Sequence, residues 1–414
     1  MLFKILCKMF NKKINGVFFC FLLLVFFAVS FSKIADQNRE FKLAKFICFL
    51  LFFLIAGLRY EIGVDFFSYA NTFDDSTDIF GLFSERSKFL NNIFSGWEPG
   101  VIILMSILKT ISNDSQILFL SSSFICTVLL FRSFSFFCDT RNLFFSFLIY
   151  FCFVYMFQEM QALRQAIGAN ILFNAFCLLA QGMRKKAILI TLLACCFHYA
   201  LLLFVPFILV LDKKINVLWQ IYILGVSFYV FVFRIPWMHS ILAFLTSVLP
   251  GGGLLERLIG YADSDALQRP FFLTFVLYII PYLFLLYKQR TNNTYFSLKY
   301  VVVQNVYFLY LVFTMIFWEF TFFSIRYGWI CLWGMAVLLP MLKAFVSVRL
   351  KAFVSLYIIV FSFLLMRTFL FPDSTTLPFT PYEDYVSRKM LNEPGTGRQR
   401  AENYLKENGL TLSY

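Results

Sequence analysis

Polar residues in this chain are confined to short stretches between long apolar runs. No charged side chain occurs between Ile14 and Ser32, Val217 and Phe233, Phe271 and Tyr287, or Tyr300 and Trp318. A helix rising ~1.5 Å per residue needs roughly 20 apolar residues to cross ~30 Å of hydrocarbon. The runs therefore predict membrane-spanning helices at 14–32, 41–58, 115–131, 142–158, 165–181, 187–211, 217–233, 271–287, 300–318, 328–342 and 352–370. The expected fold class is all-α: a polytopic integral membrane protein with about 11–12 transmembrane helices. Residues 1–371 form one membrane domain in this reading, and 372–414 a polar tail.

Composition agrees with the pattern. The chain is 60% hydrophobic and 14% charged, whereas an ordinary soluble domain is about a quarter charged. It therefore lacks the groups to cover a water-facing surface. The net charge of +13 raises nucleic acid as a partner. Lys and Arg collect at the ends of apolar runs instead, as cytoplasmic loops require, so the lipid bilayer is the expected surroundings and nucleic acid is not a partner. The ten cysteines stand alone or as the pair Cys195–Cys196, with no CxxC and no Cys/His metal spacing. Neither disulfides, a metal nor another cofactor is predicted. The first run follows Lys4, Lys8, Lys12 and Lys13 and is longer than a signal-peptide core, which predicts an uncleaved first span.

The triple positive Arg184-Lys185-Lys186 marks a cytoplasmic loop. Counting back from it places 158–165 outside, Arg132 and Arg141 inside, and 59–114 outside. Within that last segment Trp97–Ile111 is too short to cross and carries Lys109. It reads as an interfacial or re-entrant helix with Pro99 in its first turn. Residues 187–211 either cross once or form two half-helices meeting near His198. The second reading keeps Lys213-Lys214, Lys288/Arg290 and Lys343/Arg349/Lys351 inside, and Pro206 suits a distorted segment. The segment 234–270, with the turn-forming Pro250-Gly251-Gly252-Gly253 and the polar Tyr261–Arg269, is then external, as is the tail. Positive charge does not decide the orientation of the N-terminus.

Candidate chemistry gathers on the external side. After the second span comes Arg59-Tyr60-Glu61-Ile62-Gly63-Val64-Asp65, followed by Tyr69; Glu98-Pro99-Gly100 opens the short helix. Glu159 precedes Leu163-Arg164-Gln165, four residues short of Gly168, a glycine that lets another helix approach closely. His198 sits about 11 residues, roughly 17 Å, from the cytoplasmic marker. Glu319 and Arg326-Tyr327 flank two later spans, and Pro381-Tyr382 lies in the tail. Arginine offers a planar fork of donors matched to phosphate oxygens. A histidine at membrane depth suits proton handling or hydrogen bonding to a sugar or diphosphate. Arginines around acids and a histidine read as a site for a diphosphate-bearing substrate that arrives from the membrane.

In order and spacing, Arg59-Tyr60-x-x-Gly63-x-Asp65-x-x-x-Tyr69, Glu98-Pro99-Gly100, Leu163-Arg164-Gln165-Ala166-Ile167, Ala194-x-x-Phe197-His198, Arg326-Tyr327 and Pro381-Tyr382 resemble the EpsG/Wzy-type oligosaccharide repeat-unit polymerases. Gly168 departs from the alanine more usual there. The resemblance implies a GT-C-like membrane glycosyltransferase of the bacterial cytoplasmic membrane. It would act on polyprenyl (undecaprenyl)-diphosphate-linked oligosaccharides without metal or nucleotide sugar, and a polysaccharide chain-length regulator is an implied partner. The expected product is a surface polysaccharide (O-antigen, capsule or exopolysaccharide). Arg164, Arg59 and Arg326 are then assigned to the diphosphate, and His198 or Asp65 to the acceptor hydroxyl. Glu98, Tyr69, Glu159, Gln165 and Tyr382 support them. The rivals are a glycan ligase of similar architecture and a repeat-unit flippase. A flippase would show internal repeats and a charged path through the membrane, and neither is evident.

Overall fold

The computed structural model describes residues 15–33, 39–84, 90, 93, 96–248, 272–292, 297–319, 321–370, 377–392 and 395–407. The N-terminal lysines up to Lys13, the Pro250–Gly253 turn and Tyr261–Arg269 lie outside them. The described residues are helical and contain no β-sheet; one isolated bridge pairs Arg59 with Asp384. Helix bounds follow the charge-free runs closely. Six helices among the described residues are long and apolar enough to cross a membrane, or seven if Val217–Val232 and Trp237–Phe244, bent by 78°, count as one span. The chain divides into two compact units, Met1–Leu209 with Ala352–Tyr414, and Val210–Lys351.

The first unit begins with α1 (Asn15–Ser30) and α2 (Arg39–Gly57), then the short helices α3 (Phe66–Asp75) and α4 (Ile79–Ser84). Next come α5 (Pro99–Ile111), α6 (Gln116–Phe137), α7 (Thr140–Gln158) and α8 (Leu163–Ala180). Apolar side chains give little drive to association in lipid, so close packing and polar links must hold such helices together. Gly57 brings α2 against α6, where an added Cβ would meet Leu120 Cδ2 at 3.2 Å. Across the same seam Ser123 Oγ donates to the Phe53 carbonyl at 2.7 Å. Asn174 of α8 donates to the Leu129 carbonyl of α6 at 2.9 Å. Phe52 is ringed by Phe131, Phe147, Phe151 and Tyr155, whose hydroxyl donates to the Phe52 carbonyl. That tyrosine ends a π-helical turn, Phe151–Tyr155. The turn shifts the register of α7 just before Gln158 and Glu159.

Gly182, at φ +79°, ends α8 and leads into α9 (Arg184–Cys195). The helix breaks at Cys196–His198, where His198 is extended (φ −155°, ψ 107°). A 3₁₀ turn, Tyr199–Leu203, and α10 (Phe204–Ile208) then fold back along α9. Of the two expected forms for 187–211, the structure has the broken, returning one.

The second unit holds α11 (Val217–Val232), α12 (Trp237–Val248), α13 (Phe272–Asn292), α14 (Leu298–Ile316) and α15 (Thr321–Met341). Gly334 lets α15 press on α14, since a Cβ there would meet the Tyr307 nitrogen at 2.9 Å. Glu319 accepts from the Met238 and His239 backbone N–H groups at 3.0 and 2.9 Å, capping α12. Buried amides tie the unit internally: Gln304 donates to Gln220 and Gln289, and Asn305 donates to the Leu211 and Lys213 carbonyls.

Most of α16 (Val348–Leu370) belongs to the first unit, as does the tail. The tail is folded: α17 (Tyr385–Leu391) and α18 (Gly397–Glu407) follow a short 3₁₀ turn, Leu377–Phe379. It docks on the segment after α2. Tyr60 N–H donates to the Glu383 carbonyl at 2.9 Å, Tyr385 N–H to Leu58 at 2.8 Å, and Gly63 N–H to Pro378 at 3.0 Å. Glu61 accepts from the Gly397 N–H at 3.1 Å. The tail therefore shares a membrane side with Arg59–Phe67.

Candidate active site

The N-terminus of α5 is jammed against the break after α9. Pro99 fills the first helical position, where its missing N–H costs nothing. Gly100 follows because there is no room for a side chain: an added Cβ would meet the Cys196 carbonyl oxygen at 2.8 Å and Phe197 Cδ2 at 3.1 Å. In this contact Gly100 N–H donates to that same carbonyl at 2.8 Å. Gly168 serves the other side of the break, where a Cβ would meet Leu201 Cδ1 at 2.7 Å, Ala194 O at 3.1 Å and His198 Cβ at 3.3 Å. Two glycines thus press α5, α8 and the His198 break together.

At this junction Glu98 is the hub. It occupies the cap position of α5 but makes no side-chain cap bond. Its carboxylate instead accepts from Arg164 Nη1 at 2.6 Å through Oε2 and meets His198 Nδ1 at 3.2 Å through Oε1. Tyr199 N–H donates to Oε1 at 3.4 Å. Burial works to raise the Glu98 pKa, but the hydrogen bond from His198 and the charge and bond of Arg164 outweigh it, and the carboxyl is held below the ordinary glutamate value. Glu98 is therefore an anion at neutral pH.

Arg164 also donates to the Gly96 carbonyl at 3.1 Å, and its guanidinium lies 4.8 Å over the Trp97 ring. Tyr69 stands edge-on to Trp97 and accepts weakly from the Arg164 backbone N–H at 3.5 Å. Burial first, then the nearby Asp65 charge, raises the Tyr69 hydroxyl and keeps it protonated. The Arg164 side chain is 29% exposed, against 4% for Glu98 and 12% for His198. Of the three, the guanidinium is the group a ligand can reach most directly.

Arg59 is placed differently. It is 1% exposed, donates to the Ala56 and Glu159 carbonyls at 2.7 and 3.2 Å, and lies 4.7 Å over Phe119. The side chain is enclosed by protein rather than open at a surface. Its position makes it a brace between the ends of α2 and α7. Gly63 (φ +86°) completes the brace, with room only for hydrogen against the Met160 carbonyl. Glu159 is likewise buried and accepts from Tyr150 and Asn170, each at 2.7 Å. Gln165 is buried beside Arg164, and Tyr382 of the docked tail donates to the Ile55 carbonyl at 2.9 Å. Asp65 is half-buried at the cap of α3, one turn before Tyr69, and its backbone carbonyl accepts the Tyr69 N–H at 3.1 Å. Arg326 belongs to the second unit, on α15.

Trp97, Tyr150 and Asn170 are partners that sequence reasoning passed over. Asn170 and Asn174, four apart inside an apolar helix, are the one visible signal, since polar side chains at helical spacing in a span seek partners. Among the described residues, His, Cys, Asp and Glu form no group of three that could hold a metal ion.

In comparison with known proteins, the model of the EpsG family matches residues 42–383 of the chain. No curated protein and no solved structure matches it.

Proposed function

Because the chain belongs to the EpsG family, we propose that it joins polyprenyl-diphosphate-linked oligosaccharide repeat units into a surface polysaccharide, on the external side of the bacterial cytoplasmic membrane. The observation that carries this reading is the Glu98 carboxylate shared between Arg164 and His198. In the reaction, an acceptor hydroxyl oxygen bonds to the anomeric carbon of the growing chain. The bond from that carbon to the diphosphate breaks, and the polyprenyl diphosphate leaves with its electron pair.

Two demands follow: the hydroxyl must lose a proton, and the leaving group gathers negative charge. With Nδ1 held by Glu98, the remaining nitrogen of His198, Nε2, is left to take the proton. The charges of Arg164 and Glu98 cancel each other. Once His198 is protonated the trio sums to +1, as the diphosphate charge develops. Stabilisation that grows along the reaction coordinate is what lowers a barrier. Glu98 ties one edge of the Arg164 fork and Trp97 supports its face, which leaves the exposed part for phosphate oxygens. Arg59, Glu159, Gln165 and Tyr382 serve by holding this frame. Tyr69 stands beside it, against Arg164, and Asp65 lies one turn before Tyr69.

The test is a deletion strain complemented with Arg164→Ala or His198→Gln. Both variants should insert at normal level, and surface glycan should stop at a single repeat unit. A normal ladder of polymer lengths in either variant contradicts the assignment. Full-length polymer that is made but left unattached points to a ligase instead.

A further inference from the structure

The second unit contains an open cleft of about 490 Å³, lined by Lys214, Asn216, Leu218, Gln289 and Arg290 among others. Its cations come from two separate elements: Lys214 from the turn before α11 and Arg290 from the end of α13, both exposed. The turn also carries Asp212, so the positive character of the cleft rests on Arg290 as much as on Lys214. The start of α11 faces the same space. There Asn216 Oδ1 accepts the Leu218 N–H at 2.9 Å, and the helix dipole adds positive potential.

The floor of the cleft is rigid. Gln289 is buried, donates to Gln304 at 3.5 Å and accepts from it at 3.0 Å. Gln304 in turn donates to Gln220, which accepts from Tyr282 at 2.5 Å and donates to the Ile215 carbonyl at 2.8 Å. A chain of satisfied amides under a basic opening holds the two helices in fixed register.

The surroundings mark its depth. Trp219 and Tyr222 of α11 and Tyr287 of α13 are 62%, 62% and 61% exposed, within a few residues in sequence of the cleft lining. Lys288 folds its ammonium over Phe284 and Tyr287, at 5.7 and 5.9 Å. Exposed Trp and Tyr beside lysines are the mark of the membrane–water interface, where phosphate headgroups lie. Leu218 adds an apolar wall suited to the start of an acyl chain.

We infer that this cleft binds a phosphate-bearing anion, and that its occupant is the headgroup of an anionic phospholipid seated between α11 and α13. The site belongs to the second unit and the trio to the first, and the inference does not depend on the reaction proposed there.

The experiment uses the full-length protein in nanodiscs of phosphatidylcholine with or without phosphatidylglycerol, with retained lipid read by native mass spectrometry. The wild type should retain phosphatidylglycerol selectively. Lys214→Gln combined with Arg290→Gln should weaken retention roughly thirtyfold, at about 1 kcal/mol per basic residue near the headgroups and 1.4 kcal/mol per decade. Melting in phosphatidylcholine alone should not change, because both side chains are exposed. Arg290→Lys, which keeps the charge, should retain the lipid, and Lys185→Gln, an exposed basic residue in the first turn of α9 in the first unit, should leave retention unchanged. Equal retention by the wild type and the double variant overturns the proposal. A second arm adds inorganic phosphate to lipid-stripped protein in detergent. If millimolar phosphate stabilises the wild type but not the double variant, and phosphatidylglycerol does not compete, the cleft takes a soluble anion and the lipid assignment falls.

Discussion

Glu98→Gln removes one charge and almost no volume, so it isolates what the carboxylate does. Glu98 is 3% exposed and bonds Arg164 at 2.6 Å and His198 at 3.2 Å. A hydrogen bond to a charged group is worth about 1.5–3 kcal/mol when buried. Arg164 is partly exposed, so solvent discounts its share. The His198 contact counts mainly when the ring gains a proton. A loss of about 3 kcal/mol from the transition state is then expected, or roughly a hundredfold in rate. The assay is polymer formation from purified lipid-linked repeat units by the reconstituted protein, with melting and insertion measured in parallel. The pH profile adds an independent readout. Because the folded pKa of Glu98 is depressed, its contribution is fully present above the ordinary glutamate value of about 4.5 and is lost as pH falls through the lower folded value. Melting of the wild type should keep this contribution down to that lower value, and melting of the variant should lack that acid step. A variant that polymerises within threefold of wild type across pH refutes the reasoning.

Three further outcomes follow from the same geometry. Arg164→Lys keeps the charge but loses the fork and the stacking on Trp97, and should cost ten- to a hundredfold in polymer yield at normal expression; full activity would reduce the side chain to a point charge. Arg59→Ala strips two buried carbonyls of their donor and should cost about 2–4 kcal/mol of stability, seen as early melting and low yield in detergent; normal melting with weakened donor binding would return Arg59 to the substrate. Gly100→Ala must displace the Cys196 carbonyl, found 2.8 Å from the added Cβ, and should lower polymerisation at least tenfold though no reacting group is touched; unchanged activity would show that the seat of Glu98 is soft.

Six of the expected spans, near 115–131, 142–158, 165–181, 300–318, 328–342 and 352–370, were legible because a charged side chain in hydrocarbon is expensive, so its scarcity over about 20 residues leaves few alternatives. The break near His198 was legible for a related reason: Lys213 and Lys214 sit on the cytoplasmic side of the sequence-derived topology only if the chain turns back. Gly168 was legible as a close approach, although not as the seat of His198. Glu98 was undervalued. Its partners lie 66 and 100 residues away, and nothing local distinguishes it from a helix cap. The setting of Arg59 was hidden for another reason. A motif spacing says that an arginine is required but not which way it turns, and here it turns inward onto Phe119. The tail read as a solvated polar end because its composition suits that equally well. Its bonds to Leu58, Tyr60 and Glu61 span more than 300 residues and have no local signature.

The central claim is that Arg164, Glu98 and His198 act as one unit. A double-mutant cycle on polymerisation rate, built from Glu98→Gln, Arg164→Lys and His198→Gln, tests it directly. Groups that work through one another should give losses far short of additive, with each double variant little worse than its more damaged parent. Losses that multiply in full would mean three independent side chains and would contradict the account.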